Sequence, residues 1–340
     1  MKVSFIVIAY NAGDRLENLF EDIKKQDYKH KDIEIILVDS NSNDSTKKIM
    51  EKFKNSTKEF DTIKVLDNPK KILPTGWNIA LQASSGDVIL RVDAHSSIPT
   101  NFISNNIKRI ERGEKVVGGH RISIIDKESK WQNTLLIAEK SLFGSGIASY
   151  RRKDEESYVS TLAHAAYSRD IFKKVGGYDE RLARTEDNDM HFRMKKVGCK
   201  FLLDPAIKSY HHARNSLDKM IKQKYLNGYW IGLTLGIQPK CFSIYHFAPL
   251  GFVLAIILSI ILAMTISVLP LIMLFGVYFL FNSVNSIFSV WNEKKQWSYI
   301  LLPGVFFLLH IAYGIGTLYG IIKLPSWLKN NRNFEYPKIK

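Results

Sequence analysis

From Phe247 to Ile322 the chain carries no charged side chain except Glu293, Lys294 and Lys295. No other feature of the sequence restricts the fold so strongly. Two apolar runs, about 248–269 and 271–290, each supply the ~20 residues with which a helix crosses a ~30 Å hydrocarbon core, and a third spans about 299–322. Three such runs in succession are rare in soluble cores, so the sequence predicts three candidate membrane helices. Their sidedness is in conflict. Three crossings would carry the segment from Lys323 onward to the far side, yet it holds Lys323, Lys329, Arg332, Lys338 and Lys340 against Glu335 alone. Such an excess marks the cytoplasmic side. Pro303 and the glycines at 304, 314, 316 and 320 are places where the last run could bend back, and the sequence leaves both arrangements open.

Up to about residue 240 charges recur every few positions, which predicts three parts: a globular domain over 1–240, a membrane region over 241–325 and a basic tail over 326–340. The apolar run after Lys2 is about eight residues long and meets Asn11, Gly13, Asp14 and Arg15 with no small-residue cleavage pattern. It reads as a first buried strand, not a signal peptide, and predicts that the charged domain stays in the cytoplasm. Cys199 and Cys241 fit a reducing compartment. The formal charge of +15 suits nucleic acid, an anionic membrane surface or a phosphorylated substrate. With membrane helices in the chain and no basic stripe interleaved with aromatics, nucleic acid is the reading to drop.

Over the first 120 residues short β-rich runs (VSFIVIA, IEIILVD, TIKVL, DVILRVD, KVVGG) alternate with helical stretches beginning near Asp14, Ser45, Thr75 and Thr100. Strands apolar throughout belong to a sheet covered on both faces, so the expected class is α/β, a mostly parallel nucleotide-binding sheet flanked by helices. Ligands of such sheets bind beyond the carboxyl ends of the strands. There stand Tyr10 and Asn11, then Asp39 with Ser40, Asn41 and Asp44, then Asp67 and Asn68, then Asp93 and His95. Carboxylates gathered at one edge repel each other, which calls for a divalent ion or for the hydroxyls of a sugar or ribose.

Asp93 and His95 are two apart, so in an extended segment both face one side and could share an ion; they could equally be polar residues at a turn. An imidazole ligand suits Mn²⁺ better than Mg²⁺. Thr185, Glu186 and Asp187 precede a helical run, where acidic residues suit the helix dipole. Gly176 to Asp179 is a turn or a close approach to a ligand. Between about Trp131 and Tyr158 the pattern weakens, FGSGIASYRR (143–152) reads as a flexible loop, and a long helix is expected from about Ser216 to Leu235.

The segments FIVIAYNAGDRLENLFEDI, EIILVDSNSNDST, GWNIALQASSGDVILRVDAH, VGGYDERLARTEDNDMHFRMKKVG and SYHHARNSL, in this order over about residues 1–235, resemble family 2 glycosyltransferases. The likeness is greatest to the membrane-associated bacterial enzymes of exopolysaccharide assembly, the succinoglycan type. It implies a GT-A fold, a nucleotide sugar donor such as a UDP-sugar, a divalent metal (Mn²⁺ or Mg²⁺) and inversion at the anomeric carbon. By the same resemblance Tyr10 and Asn11 border the nucleobase, Asp39 contacts base or ribose, and Asn78 belongs to the nucleotide-sugar site. Asp93-Ala94-His95 matches the metal-binding Asp-x-Asp element with His in the second place. Asp187 matches the general base, with Glu186 as its neighbour, and Arg214 matches an arginine that meets the pyrophosphate.

Processive relatives carry Gln-x-x-Arg-Trp near here, whereas this chain has Gln223 followed by Tyr225, Leu226 and Asn227, with Trp230 displaced. The expectation is therefore one sugar per catalytic cycle, passed to a lipid-linked saccharide at the cytoplasmic membrane in cell-surface polysaccharide assembly. A polyprenyl-phosphate sugar synthase, a processive synthase and an inactive binding subunit are the rival readings.

Overall fold

The computed structural model describes residues 1–125, 129–144, 149–151, 155–332 and 334–339. Within the predicted loop at 143–152, residues 145–148 and 152 lie outside the described residues. The chain forms two compact units, one of residues 1–122, 148–212 and 334–340, the other of 123–147 and 213–333. A linear division at residue 240 does not express this interleaving.

The first unit is built on a nine-stranded sheet. Its strands are β1 (Val3–Ala9), β2 (Ile33–Asp39), β3 (Thr62–Asp67), β4 (Val88–Asp93), β5 (Ser96–Ser97), β6 (Val116–Ile124), β7 (Ser157–Val159), β8 (Ala166–Ser168) and β9 (Phe201–His212). The order is β3-β2-β1-β4-β8-β6-β9-β5, with β7 also paired to β9. The four strands β3, β2, β1 and β4 are parallel, and β8 joins β4 antiparallel. Register sets Ala9 beside Asp39, Asp39 beside Asp67 and Ile8 beside Asp93, so the predicted strand-end residues fall on one edge.

Helices α1 (Gly13–Lys24), α2 (Thr46–Ser56) and α4 (Phe102–Glu111) cover one face of the sheet, where Leu16, Leu19, Phe20, Met50, Phe53 and Phe102 meet Val3, Phe5, Val7, Ile35 and Leu37. On the other face α3 (Leu73–Ala83), α6 (Arg169–Val175) and α7 (Glu186–Lys196) bring Trp77, Leu81, Phe172, Met190 and Met194 against Ile6, Ile8, Ile36 and Val38. Successive strand residues thus enter opposite cores, which is why the strands are apolar throughout.

The second unit is helical, with α5 (Lys130–Lys140), α8 (Leu217–Thr234), α9 (Ala248–Thr265), α10 (Leu269–Val290) and α11 (Leu302–Asn330). Three of its helical segments, ending in α9, α10 and α11, are long and apolar enough to cross a membrane. The helix α5 falls in the stretch where the sequence pattern fades, and Leu135, Ile137 and Ala138 pack with Met220, Leu302, Val305 and Phe306.

Candidate active site

Arg91, on β4, organises the site. It points to the same side as Asp93, two residues on, and its guanidinium lies over the Trp77 ring at 4.4 Å and near the Tyr178 ring at 6.0 Å. It pairs with the Asp187 carboxylate and reaches Glu186 Oε1 at 3.7 Å. Burial opposes its charge, but the Asp187 and Asp93 carboxylates outweigh that and hold it firmly protonated. The fold thereby joins the end of a parallel strand to the first turn of α7, ninety-six residues later in the chain.

The two carboxylates of α7 have different surroundings. The Asp187 side chain is about one third exposed, whereas that of Glu186 is buried and its Oε2 has no hydrogen-bond partner. Burial, and then the charge of Asp187, pushes the Glu186 carboxyl well above the usual carboxylate range. Glu186 therefore favours its neutral form, whereas Asp187 is the more open of the two and is paired with Arg91. One turn further along α7, His191 is pushed down to about 4 by burial and bonds Tyr167 Oη (2.9 Å) and Thr161 Oγ1 (3.0 Å) as a neutral ring.

Asp93 is held by His164, whose Nε2 stands 3.1 Å from Asp93 Oδ2 and 3.2 Å from Ser96 Oγ, while its Nδ1 bonds Ser209 Oγ at 2.9 Å. Burial works to raise the Asp93 carboxyl, but His164, Arg91 and Arg121 hold it far below its usual range. Asp93 is thus a fixed anion with a partly exposed carboxylate. Among the described residues no three His, Cys, Asp or Glu side chains converge on a point that could hold a metal ion. Asp93 ends β4 and His95 lies in the turn before β5; these are the residues that could hold an ion, and alone they would leave most of its ligands to come from a bound group.

The predicted nucleoside residues also meet. Asn11, at φ +48°, donates its backbone N–H to Ser42 Oγ (3.0 Å) and accepts from the Asn43 N–H (3.0 Å). Asp39, buried at the end of β2, accepts from the Ser42 N–H at 3.2 Å, and Tyr10 is exposed beside them. Asp44 accepts from the Thr46 N–H at the start of α2, one residue ahead of the N-cap Ser45.

Asn78 is tied into the protein itself. Its Oδ1 accepts from the Tyr178 N–H (2.7 Å), and its Nδ2 donates to Tyr178 O (2.9 Å) and Glu180 Oε1 (3.1 Å). It fixes the Gly176–Asp179 loop and so the Tyr178 ring beside Arg91. Arg214 is exposed and belongs to the helical unit, not to the unit that carries the other candidates. Two participants escape a reading of the sequence. Arg91 could have been found from its i−2 position to Asp93 on a strand, whereas His164, at φ +42° and distant in sequence, carries no local signal.

A parallel half-sheet with a fixed carboxylate at its edge, facing a carboxylate on a helix N-terminus, defines a GT-A type of nucleotide-sugar fold. Residues 4–176 match the family described as Glycosyl transferase family 2, and the chain belongs to that family. It is similar, at a TM-score of 0.62 and 16% identity over 94% of this chain and 87% of the other, to the mannosyltransferase PcManGT of Pyrobaculum calidifontis, solved with GDP-Man and Mn²⁺. Among sequence relatives, a dolichyl N-acetyl-α-D-glucosaminyl phosphate 3-β-D-2,3-diacetamido-2,3-dideoxy-β-D-glucuronosyltransferase of Methanococcus voltae is 26% identical over 96% of this chain and 99% of its own. The succinoglycan biosynthesis protein ExoA of Rhizobium meliloti is 25% identical over 65% of this chain and 67% of its own. A GalNAc(5)-diNAcBac-PP-undecaprenol β-1,3-glucosyltransferase of Campylobacter jejuni is 30% identical over 50% of each chain.

Proposed function

We propose that this glycosyltransferase moves one sugar from a nucleotide diphosphate sugar, a UDP-sugar in the first instance, to a saccharide on a polyprenyl lipid carrier, with inversion, in cell-surface polysaccharide assembly. The observation that carries the proposal is the Arg91 bridge, which puts the partly exposed Asp187 carboxylate on the same site as the strand-end anion Asp93. The names of the Methanococcus and Campylobacter relatives, both acting on lipid-linked saccharides, support the choice of acceptor.

The nucleoside lies against Tyr10, Asn11 and Asp39. Asp187 accepts the proton of the acceptor hydroxyl as that oxygen attacks the anomeric carbon, and the bond from that carbon to the diphosphate oxygen breaks on the opposite face. Asp93 and His95 would hold a divalent ion, Mn²⁺ or Mg²⁺, which would supply positive charge to stabilise the leaving diphosphate. Arg91 keeps the base in place, and Glu186, neutral and buried, adds no second negative charge. The reaction takes place at the cytoplasmic membrane, where nucleotide sugars are available to a sheet unit facing the cytoplasm.

The test is a panel of nucleotide sugars incubated with the full-length protein, divalent ion and lipid-linked saccharides. The expected product is an oligosaccharide one sugar longer, with the anomeric configuration inverted by NMR and turnover lost on chelation with EDTA. A sugar phosphodiester formed on bare polyprenyl phosphate would overturn the acceptor assignment, and a retained anomer would remove Asp187 as the base.

A further inference from the structure

The helical unit fixes how its three apolar helices relate to one another. Phe252 of α9 stacks on Tyr278 of α10 at 4.1 Å, so the two helices form a hairpin around the turn at 266–268. Pro249, three residues before Phe252, and Asn282, four after Tyr278, therefore stand at the same level of that hairpin. α11 touches both. Asn282 Nδ2 donates to Pro303 O at 2.8 Å, and Gly314 packs so closely on Pro249 that a Cβ there would lie 2.2 Å from Pro249 O. Eleven residues of helix, about 16 Å, thus begin and end at one depth. Along this stretch α11 lies across the hairpin, not beside it.

The partner of α11 leads to the same conclusion. α8 runs parallel to it. Gly316 packs on Tyr225, where a Cβ would stand 2.1 Å from the carbonyl oxygen, Tyr229 stacks on Tyr319 at 5.7 Å, and Trp230 meets Trp327 at 6.4 Å. The first turns of α8 carry Asp218, Lys219, Lys222 and Lys224, and Lys224 Nζ lies 5.9 Å from the Tyr313 ring at the middle of α11. A crossing α11 would draw these charges toward the bilayer centre, at several kcal/mol each. α9 and α10 instead present Leu254, Leu258, Ile261, Ile272, Val277 and Leu280 outward, and a smaller share of each is covered by protein than of α11.

The chain after α11 settles the side. Residues 334–339 belong to the sheet unit, where Pro337 O accepts from the Gly177 N–H at 2.7 Å, Phe334 covers Arg181 at 4.4 Å, Tyr336 covers Arg193 at 4.1 Å, and Ile339 is buried in the core.

We infer that only α9 and α10 cross the bilayer and that α11 lies along its surface, on the side that holds the sheet unit. The basic residues Lys323, Lys329, Arg332 and Lys338 then share the side of the nucleotide-sugar site, and the charge conflict in the sequence disappears. This goes beyond the proposed reaction and does not depend on it. The test uses full-length protein with Cys199→Ser and Cys241→Ser, carrying one of Lys48→Cys, Ser267→Cys, Lys294→Cys or Glu335→Cys, all at exposed positions. Sealed vesicles are treated with a membrane-impermeant maleimide before and after detergent. The Lys48→Cys, Lys294→Cys and Glu335→Cys thiols are expected to react from one side, and that of Ser267→Cys only from the other. Reaction of Glu335→Cys from the side of Ser267→Cys, or of all four from one side, overturns the inference.

Discussion

At the residue scale, the two acidic neighbours at the head of α7 are separated by burial. Glu186 is enclosed and favours its proton, whereas Asp187 is partly exposed and paired to Arg91. Asp187→Asn is expected to lower turnover by about 10²–10⁴-fold, the usual worth of a general base, with donor affinity unchanged in a calorimetric titration. Glu186→Gln imitates the neutral form and is expected to stay within about tenfold of the parent rate, since no acid–base step is asked of it. A larger loss in Glu186→Gln would mean that its ionised form is used. The acidic pair was legible in the sequence because it heads a helix, and Asp93 because it ends a strand. The division of labour between the pair was not, since it rests on the burial of one side chain. Likewise the engagement of the Asn78 amide with the Tyr178 backbone rests on tertiary contact across a hundred residues, which no local pattern carries. Asn78→Ala is expected to loosen that loop and to raise the donor KM more than it lowers kcat, measured by steady-state kinetics.

At the scale of elements, the parallel strands could be read because both their faces are buried, and α1 to α4 because their apolar residues recur at helical spacing. α5 carries no such signal, because four of its apolar residues fall in one unbroken run, Leu135 to Ala138, and not at helical spacing. Its start is marked only by Ser129 Oγ accepting from the Gln132 N–H at 3.1 Å. α11 was expected to stop near residue 322, where Lys323 and Pro325 follow, yet it continues to Asn330. Pro325 costs an interior helix hydrogen bond, and on either side of it Leu324 and Leu328 pack on Gly236, just beyond the end of α8. The sheet also contains a buried carboxylate that no pattern announces. Glu34, in β2, accepts from the Gly86 N–H and Ser85 Oγ at 2.9 Å each and from Ser4 Oγ. Burial would raise its pKa, but these donors lower it below the ordinary 4.5. Its contribution is therefore complete at neutral pH and is lost as pH falls below about 4.5 through the folded value. Glu34→Gln is expected to destabilise the fold by roughly 1.5–3 kcal/mol at pH 7 and by progressively less in acid, followed by thermal unfolding across pH.

At the scale of the whole molecule, the sheet unit is discontinuous. Residues 334–339 complete its core and cover Arg181 and Arg193, which in turn pair with Asp179 and Asp189 on either side of the turn that carries Asp187. Burying Ile339 and stacking two rings on arginines is worth roughly 2–5 kcal/mol together. Removing residues 334–340 is accordingly expected to lower the melting temperature of the protein and weaken nucleotide-sugar binding, read by thermal shift with and without UDP. The same discontinuity imposes an order on biosynthesis. Domains fold as the chain emerges, amino-terminal part first, but here the emerging sheet lacks a segment that leaves the ribosome only after the hydrophobic hairpin. Nascent chains stalled before residue 334 should then be cut by protease within the sheet unit, while chains stalled well beyond it resist. Commitment to the lipid bilayer would in this way come before the enzyme is able to work.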